Sequence, residues 1–319
     1  MYLVWLCVRQ RAIIESTMNW SSDEIIKISY RLLGVNGYGI VQTNKILSSL
    51  KPCVTTSQQL EDSIERLLKP SELQIFQKDA LLYQRAENVR YVSMLDDERY
   101  PADLRLMLRQ QTPTVLSYIG NWSLLCKKKA AFSGSRKASE KGLWITRDCV
   151  TQLASNDICI VSGYASGVDM AAHTAALQSG GSTIIVLPEG IKYFYIKKEL
   201  KEIWDWNRVL VISEFLPHEK WMTSRAMKRN QTMIGLSDVV VVVEAGESGG
   251  SYDAGLKSIE AGKSLFVPVF KSTPESALGN SILIRKGAKS LYMRKETQHA
   301  NTDAIHETIV KKVSTELFV

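Results

Sequence analysis

ICIVSGYASGVDMAAH, residues 158–173, is the stretch on which the fold turns. It opens with an unbroken apolar run at 158–161, breaks at Ser162 and Gly163, and resumes after Gly167 as a helix-like pattern with Asp169 near its start. A strand that runs through small residues into a helix leaves the first N–H groups of that helix pointing outward, at the positive end of its dipole. Such a turn is an anion site. The same order recurs in AAFSGSR, residues 130–136, and in RNQTMIGLSDVVVVVEAGESGGSYDA, residues 229–254. Turns of this kind follow Phe132, Val161 and Val243; on one sheet edge they form a row of phosphate-sized sites.

Outward from these turns the alternation is regular. Apolar runs at 130–133, 158–161, 183–187, 209–212, 239–243 and 265–269 read as strands, with helical stretches at about 138–155, 168–179, 195–206, 225–236 and 251–262. Short, β-branched, continuous apolar strands between helices imply a parallel sheet covered on both faces. The fold class is therefore α/β: a Rossmann-like, doubly wound, mainly parallel sheet, with ligands expected beyond the strand C-termini. A small helical domain precedes it. Ser21, Ser22, Asp23 and Glu24 offer N-cap chemistry before an apolar helix, and GVNGYGIVQTNKILSSL (34–50) reads as a helical hairpin with Thr43 as N-cap. That hairpin suits a helix-hairpin-helix or sterile-alpha-like unit, or a plain packing unit. A further helix starts at Pro70 and carries Leu73, Phe76, Leu81 and Leu82. The expected organisation is a helical domain over 1–90, a connector over 91–125 with a short strand at 115–119, the Rossmann-like domain over 126–295, and a C-terminal amphipathic helix over 296–319.

Net charge is +7, which leans toward a polyanionic partner. The five cysteines, Cys7, Cys53, Cys126, Cys149 and Cys159, have no metal-like spacing and fit a reducing, cytoplasmic setting. No segment reaches the roughly 18 apolar residues of a membrane span. The apolar start YLVWLCV (2–8) precedes its charges, Arg9 and Arg11, the reverse of a signal peptide; Met1 and Met18 both remain possible starts. Neither GxGxxG nor GxxxxGK[ST] occurs, which disfavours ordinary dinucleotide binding and a P-loop. Gly134, Ser135 and Arg136 combine a tight turn, a hydroxyl and a guanidinium fork. Asp169 and His173 share a helical face and read as a structural pair; no matched nucleophile, metal cluster or cofactor motif is found. Arg229 and Asn230 lie in a basic helical stretch with Arg225 and Lys228, and Ser248, Gly249, Gly250 and Ser251 leave backbone N–H groups able to approach an anion.

Taken in order, these pieces resemble the DNA-processing protein A (DprA, or Smf) family. The resemblance rests on Tyr100-Pro101 and Gly120, GSR at 134–136, SGYASGVDMAAH at 162–173, Ile212-Ser213-Glu214, RNQTMIGLSDVVVVVEA at 229–245, SGGSYDA at 248–254, and Gly279 with Leu283-Ile284 and Gly287-Ala288. It implies a Rossmann-like domain that binds single-stranded DNA without enzymatic activity. It also implies a homodimer that helps a RecA-like recombinase to load, in recombination or DNA uptake. Carried over, the DNA pocket comprises Gly134, Ser135, Arg136, Ser162, Gly163, Ser166, Gly167, Arg229 and Asn230, with Ser248, Gly249, Gly250 and Ser251 beside it. Tyr164, Trp221 and Tyr252 near the pocket mouth suit either core or rim packing, the default for such residues, or stacking on bases. The chain departs from the family pattern at Ser166 and Gln231, where members often carry Arg, at Asp253 in place of Thr, and at Val269 in place of Gly. Two other readings use the same turns. One is a nucleotide-ligand sensor in a defence or signalling system, since fewer pocket arginines suit a smaller anion. The other is a nucleotide phosphoribohydrolase, which the loop ESGGSYDAGLK disfavours because it lacks the PGGxGTxxE spacing.

Overall fold

The computed structural model describes residues 22–78, 88–96 and 98–316. The expectations for 2–8 and for Leu81 and Leu82 lie outside these residues. The chain divides into two compact units, Met1–Ser117 and Tyr118–Val319.

In the first unit four helices, α1 (Ser22–Gly34), α2 (Ile40–Leu50), α3 (Ser57–Leu67) and α4 (Pro70–Lys78), close on a core that includes Leu32, Leu47, Leu60, Ile64 and Phe76. Apolar residues three and four apart put one face of each helix inward. The hairpin between α1 and α2 departs from expectation in its cap. Gly39, in extended conformation, precedes the first turn, while Thr43 lies one turn inside α2, buried, donating its N–H to Gly39 O. Gly37 supplies the positive φ of 85° that the turn needs, so no side-chain cap closes it. The stretch read as a connector is more regular than expected: it contains β1 (Arg90–Ser93), α5 (Ala102–Leu108) and β2 (Val115–Gly120). Tyr100 anchors it by donating its hydroxyl to Pro113 O at 2.7 Å.

The second unit holds seven further strands. They are β3 (Lys129–Ser133), β4 (Cys159–Ser162), β5 (Thr183–Val186), β6 (Val209–Ser213), β7 (Val239–Val242), β8 (Ser264–Pro268) and β9 (Lys289–Leu291). They run in the order β6-β5-β4-β3-β7-β8-β9, and each neighbouring pair is parallel. On one face α6 (Glu140–Ala154), α7 (Val168–Gln178) and the C-terminal α11 (Asp303–Glu316) bury Ile145, Val150, Ala172, Ala176, Ile305 and Ile309 against β3, β4 and β7. The crossover from β6 returns through α8 (Thr223–Leu236) to β7, and α8 packs on α9 (Gly250–Glu260). A short α10 (Asn280–Arg285) precedes β9. Strands before the return lie on one side of β3 and strands after it on the other, so the switch point falls between β3 and β7.

One expected helix is absent. Between β5 and β6, residues 195–206 form a 3₁₀ segment, Lys198–Ile203, with only Leu200 fully buried. The aromatic side chains direct this crossover: Phe194 packs on Tyr164 and Trp204 with ring centroids 5.7 and 5.8 Å apart, and Trp204 on Trp206 at 5.1 Å. Aromatic edge and tilted packing of this kind adds to area burial and holds the backbone off the helical path that the spacing suggested.

Candidate functional site

At the C-terminal ends of β3 and β4 the chain turns into α6 and α7, and α8 crosses above them. A cleft of about 380 Å³ opens there, floored by Ser133 and Gly134 and walled by Arg136, Arg229, Asn230 and the start of α9. A second cleft of about 230 Å³ adjoins it and shares Arg136, Ala165, Trp221 and Arg229.

The floor is fixed by close backbone approach. Arg229 is 6% exposed and donates from Nη1 to Val186 O at 2.8 Å. A side chain at position 163 would place its Cβ 1.8 Å from that same Nη1 and 2.3 Å from Asp169 Oδ2, so only glycine fits. Asp169 accepts from Ala165 N–H at 3.2 Å inside the first turn of α7. Burial raises its carboxyl above the ordinary value, and the Arg229 charge pulls it back down. Burial likewise lowers the Arg229 guanidinium, against the opposing pull of Asp169. Arg229 is thus a strut between β5 and α7 as well as part of the wall.

Arg136 is different. It is exposed, lies over the Trp221 ring at 5.4 Å, and among the described residues no carboxylate pairs with it. Opposite it, α9 starts at Gly249 with φ 97° and no side-chain cap, and Asn230 Nδ2 holds the turn by donating to Gly250 O at 3.1 Å. The first backbone bond of α9 runs from Asp253 N–H to Gly249 O, which leaves the N–H groups of Gly250 and Ser251 directed out of the helix at the cleft wall.

The expected site residues divide by position. Gly134, Arg136, Arg229, Asn230, Gly249, Gly250 and Ser251 line the first cleft, and Ser166 lines the second. Gly163 and Gly167 shape the turn from beneath; a Cβ at Gly167 would lie 2.2 Å from Ser135 O. Ser135 points elsewhere, its N–H donating to Glu244 O and its hydroxyl accepting from Lys137 N–H. Ser162 is fully buried and donates to Phe132 O at 2.7 Å, and Ser248 is exposed outside both cleft walls. Of the aromatics, Tyr164 and Trp221 line the second cleft, whereas Tyr252 lines neither.

The second cleft adds residues that sequence reasoning missed: Tyr193, Phe194, Tyr195 and Lys197. Lys197 donates from Nζ to Tyr164 O at 2.6 Å and sits 4.5 Å from the Tyr164 ring centre. Burial lowers the Lys197 ammonium and raises the Tyr164 phenol to about 12. The signal was present in IKYFYIKK (191–198), where lysines alternate with aromatics. His173 takes no part in either cleft. Its Nε2 donates to Gly163 O, Nδ1 faces the Thr183 hydroxyl at 2.7 Å, and burial pushes the imidazole down to about 4. Among the described residues no group of three His, Cys, Asp or Glu side chains could hold a metal ion, and no helix is long and apolar enough to cross a membrane.

Chemically, the arrangement offers one exposed guanidinium, one open helix N-terminus and an aromatic annex with a lysine. Together they suit an anion attached to a planar, stackable group. The family model for DNA recombination-mediator protein A matches residues 91–301. DNA processing protein DprA of Streptococcus pneumoniae is 37% identical over 213 residues, 66% of this chain and 74% of that protein. Protein Smf of Escherichia coli is 33% identical over 198 residues, 60% of this chain and 52% of that one. The X-ray structure of the Streptococcus pneumoniae protein superposes with a TM-score of 0.67 at 30% identity, covering 82% of this chain and 92% of its own. DNA processing protein A from Helicobacter pylori, whose structure was described for its single-stranded DNA binding mode, gives 0.56 at 26% identity over 71% and 97%.

Proposed function

We propose that this chain, which belongs to the DNA recombination-mediator protein A family, holds single-stranded DNA in the cleft at its strand tips. Arg136 and the start of α9 take phosphates, and the aromatic annex takes unstacked bases. The observation that carries this reading is the exposed Arg136 guanidinium over Trp221, facing the uncapped N-terminus of α9 across one cleft. Phosphate contacts supply affinity that weakens with salt, and aromatic faces accept any base. Single strands are favoured over duplex because only unpaired bases present their faces.

The protein acts by binding rather than by catalysis, handing the strand to a RecA-like recombinase, and it does so as a homodimer. The relatives' names support a role in DNA processing; the hand-over and the dimer are the finer parts of the proposal. The test is a titration of labelled single- and double-stranded oligonucleotides at two salt concentrations, with wild type beside Arg136→Ala. Wild type should bind the single strand, and Arg136→Ala should reduce the slope of log K against log salt by about 0.7, the value of one phosphate contact on a single strand. No retardation of single strands at low salt refutes the proposal. Equal competition by mononucleotides and oligonucleotides would favour the nucleotide-sensor reading instead.

A further inference from the structure

The switch point between β3 and β7 is where an open α/β sheet ordinarily receives a ligand phosphate, at the N-terminus of the helix that follows the first strand. Here that helix is α6, and its N-terminus is already occupied. Glu244, the second residue after β7, is 0% exposed. Its Oε2 accepts from the Ser139 N–H at 2.9 Å and from the Ser276 hydroxyl at 2.6 Å, while Oε1 accepts from the Ser139 hydroxyl. Ser139 is itself the N-cap of α6, accepting from Gly142 N–H at 3.0 Å. The helix is cut to fit the carboxylate: a Cβ at Gly142 would stand 2.1 Å from Glu244 Oε1. A main-chain amide, two hydroxyls and a glycine-made recess are the donor set of a phosphate site, and a side chain of the protein fills it.

We propose that Glu244 is a resident anion that closes the switch point to phosphorylated small molecules and so confines ligands to the neighbouring cleft walled by α8 and α9. It is a specificity-determining residue: it touches no ligand, and it rejects nucleotide phosphates by standing where they would bind. This holds whatever ligand the neighbouring cleft takes.

The test uses the full chain with Glu244→Ala and Glu244→Ser, each of which vacates the recess, and Glu244→Gln, which keeps it filled. Thermal unfolding is followed in inorganic phosphate and in chloride of matched ionic strength, with direct calorimetric titration of phosphate. General salting effects act on all four proteins alike. The vacated variants should melt lower than wild type in chloride and recover much of that loss in phosphate, with saturable binding. Wild type and Glu244→Gln should show no more than the smaller gain that the neighbouring cleft gives all four proteins alike. Two results overturn the proposal: neither vacated variant gains more from phosphate than wild type does, whether folded in chloride or not, or wild type already binds phosphate as tightly as they do.

Discussion

Replacing Arg229 by methionine separates its two readings, wall of a DNA cleft and internal strut. Methionine keeps most of the apolar stem and removes the charge. Arg229 is 6% exposed, bonds Val186 O at 2.8 Å, and its charge pulls the burial-raised carboxyl of Asp169 back down. Without it, Asp169 keeps the Ala165 N–H at 3.2 Å. Removing the nearby charge that compensates a buried carboxylate costs up to about 3–5 kcal/mol, a large share of the roughly 5–15 kcal/mol of a typical domain. Urea unfolding at neutral pH should therefore show a sharply lower midpoint for Arg229→Met. Adding Asp169→Asn should restore part of the loss, because the pair is then neutral on both sides. The pH dependence has a definite sign. The Asp169 pKa in the folded protein is already raised, and loss of Arg229 raises it further. A carboxyl with a raised folded pKa stabilises when protonated, and that contribution is lost as pH rises through the folded value. The gap between variant and wild type should thus be widest at neutral pH and should narrow toward acid, where wild type is left with an unpaired buried guanidinium. Wild-type stability for Arg229→Met, with a selective loss of oligonucleotide binding, would refute the strut and make Arg229 a ligand contact alone.

Two further outcomes follow from polar groups outside the cleft. His173 is fully buried with its folded pKa depressed from 6.5 to about 4, so acid should cost the fold about 3 kcal/mol between those values, at about 1.4 kcal/mol for each tenfold change in proton affinity. Stability curves for His173→Gln should lack that acid limb, and an unchanged limb would show that another group carries it. Asp148 accepts from Ala300 N–H at 2.7 Å and from Gln152 at 2.9 Å and pairs with His299, which ties the segment before α11 to α6. Asp148→Ala should speed hydrogen exchange at Ala300 and lower stability by roughly 1–3 kcal/mol, leaving oligonucleotide binding intact.

The parts of the fold legible in the sequence are those whose signal is local. Strands buried on both faces must be continuous apolar runs, and 158–161 and 209–212 lie within a residue of β4 (Cys159–Ser162) and β6 (Val209–Ser213). The failure at 195–206 has the opposite cause: its spacing suited a helix, but Phe194, Trp204 and Trp206 found one another, a tertiary preference that spacing does not encode. The site was legible as a set of turns and illegible in its directions. Arg136 and Arg229 look alike as cations in a sequence, yet one is exposed over Trp221 and the other buried under Val186 O. Glu244 could not be picked out in the sequence, because its partners Ser139 and Ser276 are 105 and 32 residues away in the chain.

That difference in direction changes the electrostatics expected of the site. The sequence suggested a row of anion sites, one for each strand tip. In the folded chain the N-terminus of α6 is filled by Glu244, and that of α7 carries Asp169 within the field of Arg229 while its Val168 N–H donates to Ser135 O. Of these three strand-tip helices α9 alone presents open amides to the cleft, and the acid in its first turn, Asp253, is turned to Lys257 at 2.7 Å. Each chain then has few places for phosphate: the α9 turn, Arg136 and, in the annex, Lys197. At about 0.7 in the salt slope per phosphate on a single strand, such a site gives shallow salt dependence and modest affinity by itself. Tight binding to a strand then has to come from base stacking in the aromatic annex and from joining two such sites on one strand, where the second contact is made at high effective concentration. A homodimer would supply that second site, which is why the small charge of one cleft supports the dimer in the proposed function.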